Sequence, residues 1–111
     1  MQVRNFSDIP PQPIPEAPGA MIRWLWASSD GAPTFSLRLV EIPPGGTSPH
    51  HAHPFEHEAY ILSGKALLRG AEQEHSMSPG DTALILPDEK HQFANLGNEP
   101  LRFLCIVPNP K

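Results

Sequence analysis

"HAHPFEHE", residues 51–58, places three histidines and two glutamates in eight positions. On a β-strand, residues two apart share a face. His51 and His53 would therefore present their imidazoles on one side, with His50 pointing away from them. Pro54 and Phe55 interrupt that strand, and His57 opens the next. His91 comes from the distant "PDEKHQFAN", residues 87–95, whereas His75 lies in the polar turn "EQEHS", residues 72–76, as a surface residue. A histidine pair on a strand is commonly surface decoration. Three histidines within seven residues, between glycine and proline turns and followed by a strand, point instead to a metal site. Imidazole suits Zn, Cu, Fe, Ni and, with less affinity, Mn.

Outward from this stretch the sequence reads as strands. "MIRWLW", residues 21–26, is β-branched and aromatic, and "SSDGAP" closes it as a turn. "TFSLRLVEI", residues 34–42, alternates, with Phe35, Leu37 and Leu39 on one face and Ser36 and Arg38 on the other. "EAYIL" runs into "SGKALLRG", "DTALIL" follows "MSPG", and "LRFLCIV" comes last. Short strands at near-regular spacing, punctuated by glycine and proline, favour a small β-sandwich or barrel. No segment keeps a helical period. Before residue 21 lies an extended proline-rich arm, residues 1–20, with five prolines in residues 9–18. Such a segment is neither helix nor central strand, and is expected along a sheet edge or across a partner subunit. The domain proper is residues 21–111.

Composition narrows the function classes. A chain of 111 residues, 39% hydrophobic and 18% charged, has room for one domain with one modest core. A net charge of -4 argues against a nucleic-acid partner. No apolar run approaches the roughly 20 residues that span a bilayer, so no membrane partner is expected. The first residues show no apolar signal-peptide core. The single cysteine, Cys105, makes no internal disulfide, and a cytoplasmic location is expected.

These residues resemble the cupins. Their first motif reads G-x5-H-x-H-x3,4-E-x6-G, and Gly45, His51 and His53 match it as written. Three residues after His53 comes the motif's glutamate place, which His57 takes here, with six more residues before Gly64. Glu58 fits the longer spacing and is the competing third ligand. The second motif reads G-x5-P-x-G-x2-H-x3-N. Gly80, His91 and Asn95 hold its frame, while Pro87 stands one place late and Glu89 near the expected glycine.

The resemblance, over roughly residues 34–107, implies an all-β fold, a cupin-type double-stranded β-helix or jelly-roll barrel. It also implies one divalent transition metal. Among small single-domain cupins with four-histidine sites, the ligands would be His51, His53, His57 and His91. Mn or Fe is the first expectation, and Zn, Ni or Cu also fits. Replacing a carboxylate ligand by imidazole leaves the metal its full charge, which favours enolate, phenolate or carboxylate ligands. Four protein ligands on a six-coordinate ion would leave two neighbouring positions for substrate, or for substrate and dioxygen.

The first functional expectation is thus a Mn- or Fe-dependent dioxygenase-type oxidoreductase acting on a small organic substrate. The alternatives are a Zn or Ni Lewis-acid lyase, isomerase or cyclase, and a non-enzymatic small-molecule or sugar-binding sensor module. A homodimer is expected. Because imidazole binds metal only when neutral, and ordinarily titrates near 6.5, metal affinity is expected to weaken from about pH 7 towards about 5. Phe35, Leu37, Leu39, Ile61, Phe93 and Phe103 are the candidates for barrel lining. Cys105 reads as a buried structural cysteine, and Trp24 and Trp26 as core or subunit-interface residues.

Overall fold

Period-two alternation between apolar and polar side chains makes a strand with one buried face. The segment Leu101–Pro108 follows that pattern over its whole length. A computed structural model describes residues 1–110. Its strands are β1 (Gln12–Pro13), β2 (Met21–Trp26), β3 (Phe35–Ile42), β4 (His57–Ser63), β5 (Ala66–Arg69), β6 (Glu74–Met77), β7 (Thr82–Ile85), β8 (Gln92–Asn95) and β9 (Leu101–Pro108). Antiparallel pairing orders six of them β1-β2-β3-β9-β4-β7 and the other three β6-β5-β8. The two sheets face each other across one core, an all-β jelly roll.

That core takes Val40 and Ile42 from β3, Ile61 from β4, and Leu101 and Phe103 from β9. The smaller sheet contributes Phe93, whose ring stacks on Phe103 with centroids 4.4 Å apart. Each such side chain stabilises the fold by about 1.5–3 kcal/mol relative to its exposed state. Gly64 turns β4 into β5 at φ +85°, where a Cβ would lie 2.8 Å from the Pro100 carbonyl oxygen. Glycine alone meets both demands there. Asn95 ties the far end together, donating to the carbonyls of Ile42 and Glu99, both at 2.9 Å.

Several expectations need correction. Strand β3 is turned over: Ser36, Arg38, Val40 and Ile42 form its inner side, since Arg38 pairs with the buried Cys105 and Val40 with Phe103. Phe35 is 63% exposed, and Leu39 is buried on the opposite face, outside the core cluster. Strand β6 lies where the sequence reads as a polar turn, and β8 is a strand the sequence reading does not name. His75 is exposed as expected, but on β6. Trp24 and Trp26 are not core residues: Trp24 is 38% exposed, and the Arg4 guanidinium lies over Trp26 at 4.2 Å. An irregularity in register between them breaks their shared phase.

The first twenty residues contribute unevenly. Arg4 reaches the Leu25 carbonyl at 2.6 Å, and the Ile9 carbonyl accepts from Arg23 Nε at 3.1 Å. Further along, β1 pairs with β2 at the sheet edge, Ile14 packs against the core, and Ala17 and Ala20 are buried in it. Deleting residues 1–10 is therefore expected to lower the melting temperature by about 4–8 °C, the shift that accompanies one modest lost interaction. Deleting residues 1–20 should lower it severalfold more. Thermal melts followed by circular dichroism compare the two, and equal losses would show that the buried alanines and Ile14 contribute nothing.

Candidate metal centre

The loop after β3 runs antiparallel to β8 and to the residue just before it. Ser48 N donates to the Phe93 carbonyl at 2.8 Å. His51 and His91 then exchange both backbone hydrogen bonds, at 3.2 and 3.0 Å, in an isolated antiparallel bridge. His51 and His53 thus sit on a loop held by β-like pairing rather than on a full strand. The same pairing carries His91 alongside them. The Asp88 amide donates to the His53 carbonyl at 2.5 Å. Asp88 holds φ at +64°, so Asp88, not Glu89, occupies the motif's glycine place. Aspartate is among the few residues that enter this left-handed region.

His57 is the first residue of β4, and its side chain points inward with 4% exposure. Its Nε2 lies 3.0 Å from His91 Nε2, and its Nδ1 lies 3.1 Å from Cys105 Sγ. His91 donates from Nδ1 to the Glu89 carbonyl at 2.8 Å, which leaves Nε2 as its lone-pair nitrogen. Ring nitrogens of His51, His53 and His91 all lie within 4.8 Å of one another. His57 joins them through its contact with His91, and its ring centroid is 5.6 Å from that of His53. Glu58 alternates to the outer face of β4 and is exposed. The fold brings four imidazoles together and leaves Glu58, His50 and His75 outside.

Desolvation is the main reason His57, His53 and His51 titrate below the ordinary imidazole value. It pushes His57 down to about 3, with the neighbouring His91 and Arg38 adding to the effect. His53 falls to about 4 for the same first cause, assisted by His51 and His91. His51 is lowered as well, again by desolvation first and His91 next. Neutral imidazoles offer lone pairs to a cation at pH 7.

The donor set fits a transition metal. Two nitrogens about 2.1 Å from one ion, at right angles about it, stand about 3 Å apart. That is the spacing found between the Nε2 atoms of His57 and His91.

Beyond the imidazoles lies a pocket walled by Ile14, Ile22, Val40, Phe93 and Phe103. Arg38 and Cys105 face the same space. Sequence reasoning misses Arg38, because it assigns the polar face of β3 to solvent. In register, Arg38 stands opposite Cys105, which alternates with core residues Phe103 and Val107. That phase relation is the available signal.

A family model described as a cupin domain matches residues 38–107. A protein of Methanocaldococcus jannaschii is 35% identical over 76 residues, 68% of this chain and 61% of that one. A tetracenomycin polyketide synthase protein of Streptomyces glaucescens is 29% identical over 92 residues, 78% of this chain and 62% of that one. The solved structure of a polyketide cyclase from Streptomyces resistomycificus superposes with a TM-score of 0.90 at 30% identity, covering 99% of this chain and 80% of that one. The chain spans about three fifths of the length of these two curated relatives.

Proposed function

The chain belongs to the cupin family, and from that footing we propose that it is a metal-dependent enzyme for a small enolisable or aromatic substrate. In this reading His51, His53, His57 and His91 hold one divalent transition metal. The observation that carries it is the cluster of four imidazoles opening onto an apolar pocket. When bound, the metal would supply Lewis-acid polarisation of substrate oxygens. The chain's own residues do the rest. The Glu89 carbonyl holds the His91 tautomer, aiming Nε2 into the site. Phe93 and Phe103 present flat apolar surface to a ring and keep water from it.

The reaction this arrangement favours is non-oxidative: a cyclisation, isomerisation or lyase step with Zn or Ni. Similarity to the polyketide cyclase, over four fifths of that protein, supports it. The second reading, a Mn- or Fe-dependent dioxygenase, draws on the neutral donor set, which leaves the metal its full charge for an electron-rich substrate anion. A cytoplasmic homodimer completes the proposal. Tyr60, Leu84 and Ile106 lie exposed on the outer face of the larger sheet and would be covered by a second copy. Sedimentation velocity tests that part.

Protein purified without an affinity tag, analysed for metals and reconstituted separately with Zn, Ni, Mn and Fe, tests the chemistry. Each form is given a panel of β-polyketone thioesters and phenols in an oxygen-electrode cell. Turnover by the Zn or Ni form without oxygen uptake is expected. Oxygen uptake confined to the Mn or Fe form would move the assignment to the dioxygenase. Tight binding without turnover by any form would make the protein a binding module.

A further inference from the structure

Among the described residues Arg38 is the one cation in the pocket wall, and its own surroundings do not satisfy it. Its guanidinium carries five N–H donors. Nη2 donates to Cys105 Sγ at 2.9 Å, a weak acceptor, and Nε is buried without a partner. The Trp24 ring faces it at 5.3 Å. Among the described residues the ion pairs engage Arg4, Arg69 and Arg102, and none engages Arg38. An imidazole is neutral or cationic, so the histidines that share the pocket bring no negative charge.

A half-buried, unpaired charge is costly to fold around, and well-packed apolar residues commonly replace such groups without loss of stability. A guanidinium retained there, beside the imidazole cluster and facing the pocket, calls for an anion. We propose that Arg38 anchors a carboxylate of the substrate, making the pocket selective for organic acids with an apolar or aromatic body. The inference rests on the reading of this pocket as the substrate site. Planar N–H donors match carboxylate geometry, and charge-assisted hydrogen bonds are about twice as strong as neutral ones. The apolar walls of Val40, Phe93 and Phe103 would receive the rest of the molecule.

Calorimetric titration with benzoate, and with benzamide as its uncharged counterpart, tests this on the wild type, Arg38→Met and Arg38→Lys. Each protein is measured as purified and after dialysis against EDTA, with metal content determined on every sample. The wild type should bind benzoate in both states, and benzamide at least about tenfold more weakly. Arg38→Met should lose about 10- to 100-fold in benzoate affinity while keeping its metal. It should also melt at the same temperature or about 2–8 °C higher, which a structural arginine would not allow. Arg38→Lys should bind benzoate with intermediate affinity, and it preserves the test if the methionine variant fails to fold. Unchanged benzoate binding in either variant, equal binding of benzamide, or no benzoate binding by the wild type overturns the proposal. A wild type that binds benzoate yet takes up no metal counts against the metal reading and leaves the anion site standing.

Discussion

Replacing His91 by alanine is expected to weaken metal binding by more than about a hundredfold, beyond the 10- to 100-fold typical of losing a hydrogen-bond partner behind a ligand. His91 is the hub of the cluster. Its ring centroid lies 5.7, 5.4 and 4.6 Å from those of His51, His53 and His57. Its Nε2 faces His57 Nε2, and its Nδ1 is held by the Glu89 carbonyl. Removing it takes away the imidazole nitrogen that lies within hydrogen-bond distance of His57. His57→Ala should have a comparable effect, because its ring is equally enclosed. His75→Ala and Glu58→Gln should leave metal content unchanged, since both side chains are exposed outside the cluster. Zinc titration against a competing chromophoric chelator gives the affinities. Should Glu58→Gln empty the site while His57→Ala keeps it, the four-histidine assignment is lost.

Lowering the pH should destabilise the metal-free protein steeply. An unfolded histidine titrates near 6.5, whereas His57 takes a proton only at about 3 and His53 at about 4 in the folded state. Between those values the unfolded chain holds protons that the native state refuses, so stability falls as pH falls. Above about 6.5 both states are neutral and this contribution is constant. A fully desolvated histidine would cost about 1.4 kcal/mol per pH unit within its window. His57 approaches that figure, and the more accessible His53 contributes a smaller share. The melting temperature of the metal-free protein should therefore be flat from about pH 8 to 6.5 and drop continuously towards 4. His57→Gln should remove about one proton from the slope. A flat profile down to pH 4, or an unchanged slope in the variant, would mean that His57 titrates as a solvated group. The same burial bears on metal release. Protons compete for the nitrogens of His57 and His53 only nearer pH 3 and 4, so these two arms should keep hold of a metal below the window from about 7 to 5.

Strand positions were legible where turn residues frame a β-branched, aromatic or alternating run, as in β2, β4 and β9. β6 and β8 escaped because "EHSM" and "QFAN" are short and carry polar residues on a sheet whose outer face meets water. The histidines were legible from spacing, since backbone pairing between their two segments preserves a strand-like phase. Arg38 was not. Alternation separates the two faces of β3 but does not say which is inside, and here the face bearing Leu37 and Leu39 lies outside the core. The weight of the N-terminal segment was hidden for a related reason. Ala17 and Ala20 are too small to advertise burial, yet both are sealed in the core. Asp88 shows the limit of matching letters: the turn keeps the left-handed backbone of a glycine with another residue in its place.

The reciprocal bridge between His51 and His91 also makes a clock. Each residue's amide hydrogen is committed to the other's carbonyl, and it can trade with deuterium only when that bridge parts. Parting the bridge separates two of the imidazoles, so exchange at these two amides counts how often the site comes undone. An ion held by both side chains opposes the opening and slows exchange by the factor one plus free metal over its dissociation constant. Two backbone protons, followed by NMR, would then report occupancy of the centre without any spectroscopic signal from the metal.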